Sequence, residues 1–212
     1  MQLVAENIRS AQKRRSIWSI HIGRIVEVFC SFLLLVLLSP LFALIAIAVK
    51  AESKGPVFFT QKRGGKEGKH FLIYKFRTMY KANVDIHKVL VENDPRITKV
   101  GNILRKTSLD ELPQLINILK GDMSFIGPRP TVTGQTDNYN EYQMQRLEVK
   151  PGVTGWAQIS GRNLLTWDEK IDLDIEYIRK KSFRMDLYIL MKTFIKVFKS
   201  DEVYIAPKPE EK

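Results

Sequence analysis

The chain has 212 residues and a net charge of +11 at neutral pH, from 34 basic and 23 acidic side chains. This balance suits an anionic membrane surface, phosphorylated substrates or nucleic acid as partners. Cys30 is the single cysteine, which excludes an intramolecular disulfide framework and a metal site built from several cysteines.

An apolar run over 25–49 is interrupted in its middle by Ser39 and Pro40. A straight helix through the run would be about 33 Å long, enough to cross a hydrocarbon core of roughly 30 Å. Pro40 disfavours such a helix, because it has no N–H for the carbonyl of Val36 and its ring crowds that turn. Ser39 is placed to donate a hydrogen bond to a freed carbonyl. The sequence therefore predicts two half-helices on either side of this break.

Basic residues flank the apolar run on both sides, with Arg24 and Lys50 the nearest. Positive residues beside a membrane segment stay on the cytoplasmic side. A re-entrant helix-break-helix hairpin keeps both flanks on one face, whereas a spanning helix places one of them on the wrong side. A spanning helix with a proline kink stays open as the alternative. A secretory signal peptide is disfavoured, because the run is too long and no small-residue cleavage pattern follows it.

The segments that follow the apolar run begin with a β-hairpin pattern. Strands are predicted over 56–61 and 70–77, joined by the glycine-rich turn 64–69. A short helix is expected over 85–92, and a turn follows it over 93–96.

A longer helix is predicted over 107–120. Ser108 and Glu111 have the spacing of a capping box at its start. Pro113 is slightly deep for that register, so the helix could begin a residue or two later. Its apolar stripe consists of Leu112, Leu115, Ile116 and Leu119.

The last third of the chain is expected to begin irregularly, with Gly127-Pro128-Arg129-Pro130 after Gly121 and a loop over 151–163. Helical periodicity returns over 167–181 and again over the strongly apolar segment 183–198. Lysines recur along one edge of the latter segment, which is typical of a helix lying in a membrane interface. A core helix with solvated lysines is the alternative.

The acidic pair Asp110-Glu111 is the feature most suited to catalysis. Such a pair is most often a solvated helix start. Here, however, Asp110 would share one polar helical face with Gln114 and Asn117, opposite the apolar stripe. The basic residues around the pair in the sequence are Lys75, Arg77, Arg105, Lys106, Lys120, Arg129 and Arg162. Carboxylates meet phosphates where a metal ion or a carboxylate nucleophile takes part, so the pattern indicates phosphate chemistry.

Other catalytic signatures are missing from the sequence. It contains no Walker A loop, no Rossmann glycine fingerprint and no Ser-His hydrolase signature. The three histidines show no metal-ligand spacing.

Several long stretches of this chain resemble the bacterial sugar transferase family, also called the monotopic phosphoglycosyl transferases. The resemblance covers residues from about 20 to 204 and matches the small form of the family, which lacks an extra membrane-spanning domain. The stretches that carry it are the Ser39-Pro40 break, Lys75-Phe-Arg-Thr-Met79, Arg105-Lys-Thr-Ser-Leu-Asp-Glu-Leu-Pro-Gln114, Lys120-Gly-Asp-Met-Ser-Phe-Ile-Gly-Pro-Arg-Pro130, Lys150-Pro-Gly-Val-Thr-Gly-Trp-Ala-Gln158 and Gly161-Arg-Asn163.

Together these patterns predict an α+β, mainly helical, monotopic membrane protein with an N-terminal re-entrant hairpin, a small β-hairpin and interfacial amphipathic helices. The expected divisions are a basic interfacial segment (1–24), the membrane hairpin (25–49), a cytosolic catalytic domain (50–204) and a flexible tail (205–212). The resemblance implies a location on the cytoplasmic face of the bacterial inner membrane.

The resemblance also implies a reaction. Such enzymes move a sugar-1-phosphate from a UDP-sugar to undecaprenyl phosphate or another polyprenyl phosphate and release UMP, which begins the assembly of a surface glycan. Asp110 would be the nucleophile that forms a phosphosugar ester, and Glu111 would help to hold Mg²⁺. Arg105 would contact the lipid phosphate. Further phosphate contacts are expected from Lys106, Lys75 and Arg77, and nucleotide-sugar contacts from Arg129, Pro151, Gly152, Thr154, Gly155 and Arg162.

Three other functions stay open from the sequence. One is a non-enzymatic, membrane-anchored basic module that binds acidic lipid or nucleic acid, although no nucleic-acid-binding motif is present. Another is an ordinary glycosyltransferase, which releases UDP rather than UMP. The third is a metal-dependent lipid phosphatase. The sequence does not identify the sugar, which could be glucose, galactose, an N-acetylhexosamine or a modified diamino sugar.

Overall fold

The computed structural model describes residues 17–80, 94–161 and 164–198, which are mainly helical. The α-helices are α1 (Ile17–Leu37), α2 (Ser39–Glu52), α3 (Lys99–Lys106), α4 (Gln114–Lys120), α5 (Thr133–Thr136), α6 (Glu141–Met144), α7 (Trp156–Ser160), α8 (Trp167–Lys180) and α9 (Phe183–Phe198). The strands are β1 (Phe58–Gly64), β2 (His70–Phe76), β3 (Ser124–Ile126) and β4 (Gly152–Thr154), and single 3-10 turns lie at Lys66–Gly68, Leu109–Glu111 and Gln145–Glu148. The predictions for 1–16, 85–92, Arg162 and the tail 205–212 lie outside the described residues.

Helices α1 and α2 form a bent helix pair, with an angle of 60° between them. Ser39 Oγ donates to the carbonyl of Val36 at 2.8 Å, as the sequence predicted. Pro40 stands in the first turn of α2, where a missing N–H leaves no helical bond unmade. Among the described residues no single helix is long and apolar enough to cross a membrane. The two legs of this pair have the required length and apolarity only when they are taken together. The bend fits the predicted re-entrant hairpin.

The predicted β-hairpin is confirmed. Strands β1 and β2 pair antiparallel, with Phe59 opposite Lys75 and Gly64 opposite His70. β1 extends three residues beyond its predicted end, to Gly64. The hairpin therefore presents Lys75 near the open ends of the two strands, away from the connecting turn.

A second small sheet was not predicted. β3 and β4 pair in parallel, and α7 follows them where a loop over 151–163 was expected. A strand of three residues is too short to show a period in the sequence, and this one is fixed by distant partners. Gly152 must be a glycine here, because a Cβ atom at this position would lie 2.1 Å from the backbone nitrogen of Gly127.

The continuous helix predicted over 107–120 is wrong. α3, which was not predicted, ends at Lys106, and α4 begins only at Gln114. Ser108 has a φ of +57° and no side-chain capping bond, so the predicted capping box does not form. A left-handed residue ends a helix, and the chain makes a 3-10 turn over Leu109–Glu111 before helix resumes. We call this segment the acidic turn.

The predicted polar face of this region is also wrong, because Gln114 and Asn117 are buried. Asn117 uses its amide as a backbone group would: its Oδ1 accepts from Tyr74 N at 3.0 Å and its Nδ2 donates to Leu72 O at 2.7 Å. Both partners lie in β2. The amide thus fastens α4 to the outer edge of the β-hairpin.

The core joins the bent helix pair to the acidic turn. Ile45 and Val49 of α2 pack with Phe76 and Leu104 in one buried cluster. Leu109 and Leu112, on either side of the acidic pair, pack against the same cluster. The acidic turn is therefore built directly on α2.

The two C-terminal helices confirm their predictions. α8 begins at Trp167 as expected and ends at Lys180, and α9 has the predicted bounds. Thr166 and Glu169 form the capping box of α8. In α9, Ile189 is fully buried, whereas much of the remaining apolar surface is exposed, including Phe183 and Phe194.

Candidate active site

The acidic turn presents two carboxylates with different surroundings. The Asp110 carboxylate takes part in no hydrogen bond or ion pair within the described residues and is half-buried. The Glu111 side chain is only 13% exposed and is held by two cations. The adjacent residues are therefore not equivalent.

Glu111 is the point where three elements converge. Lys75 of β2 donates from Nζ to Glu111 Oε1 at 2.6 Å. Arg129, in the segment after β3, donates from Nη2 to the same oxygen at 2.6 Å and from Nη1 to Oε2 at 3.3 Å. Lys75 is 17% exposed and Arg129 48% exposed. The glutamate thus ties a half-buried lysine and a more accessible arginine to the acidic turn.

These contacts shift the pKa values of Glu111 and Asp110 in opposite directions. Burial opposes the charge of Glu111, but Arg129 and Lys75 outweigh it and hold the Glu111 pKa well below its usual range. Burial raises the pKa of Asp110, and the Glu111 charge adds to this, against the opposing effect of Lys75. Glu111 is therefore the fixed anion of the pair. Asp110, whose pKa is raised, is the carboxylate of the pair that is more easily protonated.

The predicted phosphate-binding residues occupy different settings. Arg105 donates from Nε to Thr78 Oγ1 at 2.8 Å, and it is close enough to Asp110 for its charge to oppose the rise in the pKa of that carboxylate. Lys106 is exposed at the end of α3 and forms no ion pair with any described residue. The structure brings Lys75 and Arg105 to the acidic pair.

Arg77 has a structural role instead of the predicted phosphate contact. It is buried, and its Nη1 and Nη2 donate at 2.7 Å to the carbonyls of Lys54 and Ser53. These carbonyls follow the end of α2. A guanidinium committed to main-chain oxygens is not available to a phosphate, so we reassign Arg77 to closing the C-terminus of α2.

Most of the predicted nucleotide-sugar residues contact the backbone of the loop that carries Arg129. Gly152 N donates to Pro128 O at 3.0 Å, and Gly127 N donates to Thr154 O at 2.9 Å. A Cβ atom at Gly155 would lie 2.2 Å from Gly127 O. Pro151 O accepts a hydrogen bond from Ser124 N at 2.9 Å. The segment 151–155 thus shapes the loop that carries Arg129.

Two arginines near this loop were missed by sequence reasoning. Arg146 donates from Nη2 to Arg129 O at 3.2 Å and is paired with Asp174, and the Arg146 and Asp174 side chains are 4% and 2% exposed. Arg63 donates from Nη1 to Pro130 O at 3.2 Å, and burial together with the charge of Arg129 lowers its pKa to about 10. Their partners are far away in sequence, so no local spacing marks them.

The acidic pair fits a shared magnesium site better than a site made by protein ligands alone. Among the residues that the structure describes, no group of three or more His, Cys, Asp or Glu side chains could hold a metal ion. Mg²⁺ commonly takes one or two carboxylates and completes its shell with water and substrate phosphates. Among the described residues Asp110 has no hydrogen-bond or ion-pair partner, and there Glu111 Oε2 has only the 3.3 Å contact from Arg129. The donor set is suitable for an ion that arrives with a phosphorylated substrate.

Comparisons with known proteins agree on one family. A family model described as bacterial sugar transferase matches residues 18–200. The uncharacterized sugar transferase EpsL of Bacillus subtilis is 44% identical over 180 residues, which are 85% of this chain and 89% of that protein.

Two longer relatives have names that specify a reaction. The UDP-glucose:undecaprenyl-phosphate glucose-1-phosphate transferase of Escherichia coli is 44% identical over 190 residues, which are 85% of this chain and 41% of that protein. The undecaprenyl-phosphate galactose phosphotransferase of Salmonella typhimurium is 39% identical over 197 residues, again 85% of this chain and 41% of the relative. The chain therefore spans less than half the length of these two proteins.

Proposed function

Because the chain belongs to the bacterial sugar transferase family, we propose that it transfers a sugar-1-phosphate from a UDP-sugar to undecaprenyl phosphate or another polyprenyl phosphate. UMP is the second product, and the reaction is the first membrane step in building a surface glycan. The observation that carries the proposal is an aspartate, Asp110, that has no partner within the part of the chain that the structure describes, beside a glutamate held by Lys75 and Arg129. The names of the longer relatives support the choice of reaction.

In the first step, an Asp110 carboxylate oxygen attacks the phosphorus that bears the sugar. The bond between this phosphorus and the bridging oxygen breaks, and UMP leaves with that oxygen. In the second step, a phosphate oxygen of the lipid attacks the same phosphorus and displaces Asp110, which regenerates the carboxylate and forms a sugar diphospholipid. Glu111 is a poor candidate for the nucleophile, because both its oxygens accept hydrogen bonds from cations.

The cations around the acidic turn reduce the repulsion between a carboxylate and a phosphate. Lys75 is half-buried beside the pair and is held in position by its hydrogen bond to Glu111. Arg129 is about half exposed, so its guanidinium can contact an incoming diphosphate while it stays close to Glu111. Arg105, on the Asp110 side, is suited to the lipid phosphate. A covalent intermediate lets both substrates use these cations in turn, which predicts ping-pong kinetics.

We include Mg²⁺ as the cofactor, which Glu111 would hold with the help of Asp110. When bound, it would neutralise phosphate charge and act as a Lewis acid at the reacting phosphoryl group. The protein's own part is to hold Glu111 ionised at every physiological pH, which follows from the lowered pKa of that side chain.

We also propose that the bent helix pair enters the bacterial inner membrane from its cytoplasmic face and returns to it. The 60° bend and the exposed apolar side chains of both legs, such as Phe29, Phe32 and Leu44, support this topology. The exposed apolar side chains of α9 suit a helix in the same interface. The acceptor phosphate lies at the headgroup level, where this arrangement would hold the acidic turn.

The test uses the purified chain in nanodiscs with Mg²⁺, undecaprenyl phosphate and a panel of UDP-sugars, and measures UMP and UDP separately. UMP release with one donor, lost in Asp110→Asn and kept in the exposed control Asp168→Asn, supports the proposal and identifies the sugar. UDP release would indicate ordinary glycosyl transfer instead. No release from the folded protein, with salt-sensitive vesicle binding that Asp110→Asn leaves unchanged, would favour a binding module.

A further inference from the structure

The helix before the acidic turn is capped by the bent helix pair. Glu52, the last residue of α2, accepts hydrogen bonds from the backbone N–H groups of Lys99 at 2.6 Å and Val100 at 2.8 Å. These groups belong to the first turn of α3, whose N–H groups have no helical partner. A carboxylate at this end also complements the helix dipole. Glu52 therefore holds the start of α3 to the end of α2.

The helix after the acidic turn is capped by the other leg of the pair. Arg24 of α1 donates from Nη2 to the carbonyls of Ile118 at 2.5 Å and Leu119 at 3.1 Å. These carbonyls lie in the last turn of α4, where a cation complements the dipole. Leu34 and Leu35 of α1 pack against the cluster that contains Ile118. The end of α4 is thus fixed to α1 by charge and by packing.

Both of these helices are short. α3 has eight residues and α4 has seven. Isolated helices of this length are not stable in water, so their direction depends on what holds their ends. The acidic turn lies between them, and its own flanking side chains, Leu109 and Leu112, pack against the cluster that includes α2 residues. A shift between the two legs of the bent helix pair would therefore move the acidic turn.

We propose that Arg24 and Glu52 are positioning residues of the active site, which set the orientation of the Asp110 carboxylate through the caps of α4 and α3. The bent helix pair is then more than an anchor, because the rate of the first chemical step depends on the geometry of its two legs. The inference rests on the proposed function, since it concerns the nucleophile of that reaction.

The donor half-reaction tests the inference without the lipid acceptor. The variants are Glu52→Gln, whose amide nitrogen cannot accept a hydrogen bond, and Arg24→Gln, which loses the guanidinium. Lys50→Gln is the matched control, since Lys50 is an exposed cation in the last turn of α2. Pre-steady-state UMP release from the UDP-sugar alone is followed in nanodiscs. Flotation with liposomes and thermal unfolding are recorded for each variant.

We expect the rate constant of UMP release to fall about tenfold in Glu52→Gln and Arg24→Gln, because small displacements of a reacting group are costly. The donor concentration at half-maximal rate should change less than about twofold, since the cations that bind phosphate are retained. Lys50→Gln should match the unmodified chain, and all variants should float equally with liposomes. Unchanged rate constants in both variants, or a defect that appears only with the lipid acceptor, would overturn the inference.

A second measurement uses the unmodified chain, so that the inference can be tested even if one of the variants does not fold. Changing the bilayer from short-chain to long-chain phosphatidylcholine alters how the legs are accommodated. We expect a several-fold difference in the rate of UMP release between the two, and equal rates would contradict the inference. An unmodified chain that releases no UMP with any donor contradicts the proposed function together with the inference. A normal burst with unaffected variants contradicts the inference alone.

Discussion

Lys75 Nζ and Arg129 Nη2 donate to the same oxygen atom, Oε1 of Glu111, each over 2.6 Å. One of these cations comes from the β-hairpin and the other from the loop after β3. The shared oxygen therefore couples two parts of the chain to the residue next to Asp110. It also means that the charge of Glu111 influences both the position of the cations and the pKa of Asp110.

Glu111→Gln should move the pH dependence of the reaction. The pKa of Asp110 is raised by burial and by the Glu111 charge, so activity in the unmodified chain falls as the pH drops through this raised pKa. Without the Glu111 charge, Lys75 and Arg129 act on Asp110 alone and its pKa falls. The acidic limb of the pH–rate profile should therefore shift to lower pH. The maximum rate should fall by about 100-fold, because an electrostatic group of the site is lost.

The pH profile of the donor half-reaction checks this prediction. Lys180→Gln, which changes an exposed cation in the last turn of α8, is the control and should keep the original profile. An acidic limb at the same pH or at higher pH in Glu111→Gln would contradict the coupling of the two acids.

Arg129→Lys should be far from conservative. The guanidinium reaches both oxygens of Glu111 and can offer paired donors to a phosphate, whereas an ammonium is a point charge. We expect kcat/KM for the UDP-sugar to fall by about 10- to 100-fold, a loss of about 1.4–2.8 kcal/mol in transition-state stabilisation. Steady-state kinetics at several donor concentrations measure it. A lysine variant with unchanged kcat/KM would remove Arg129 from the site.

The buried pair Arg146–Asp174 should dominate the stability of the Arg129 loop. Asp174→Asn removes one charge and leaves the Arg146 guanidinium, 4% exposed, without its carboxylate. We expect a loss of about 3–5 kcal/mol in the free energy of unfolding, as is usual when one member of a buried pair is removed. The exposed pair Glu176–Lys180 provides the comparison: Lys180→Gln should cost less than about 1 kcal/mol.

Chemical denaturation of the detergent-held protein gives both values. Replacing Arg146 and Asp174 together by Met and Leu should recover part of the loss, because no buried charge then remains unpaired. A double variant that is less stable than Asp174→Asn would show that the pair contributes more than its charges.

Pro40→Ala should change the membrane topology. The substitution restores an N–H and removes the ring at the break, so a continuous helix through the two legs becomes possible. Such a helix is long enough to span the bilayer and would move the N-terminus to the other side. Labelling of a single cysteine introduced near the N-terminus, in a Cys30→Ser background, measures this. An N-terminus that stays accessible only from the cytoplasmic side would contradict the prediction.

The parts of the fold that were predicted have local causes. The break at Ser39-Pro40 follows from one missing N–H, and the β-hairpin follows from a glycine-rich turn between two apolar runs. α8 and α9 are long enough to show a helical period. Lys75 and Arg129, which the sequence analysis gathered around the acidic pair because of their charge, both contact Glu111 in the structure.

The parts that were missed depend on contacts between distant residues. The left-handed conformation of Ser108 splits the predicted helix, and no pattern in the sequence indicates it. Arg77 has the same local appearance as a phosphate-binding arginine, yet its carbonyl partners come from the end of α2. Arg146 and Asp174 are 28 residues apart. The residue type alone is compatible with several roles at each of these positions, and the contacts made in the fold determine which role the side chain has.

Asn117 has a consequence for the free edge of β2. A two-stranded ribbon exposes unpaired N–H and C=O groups along both sides, which is where strands of other chains can add. By bonding Tyr74 N and Leu72 O, the Asn117 amide substitutes for one residue of a third strand and occupies that part of the edge. Tyr74 directly precedes Lys75, so the same amide that leaves less of this edge open to another strand also holds the backbone from which the lysine reaches Glu111.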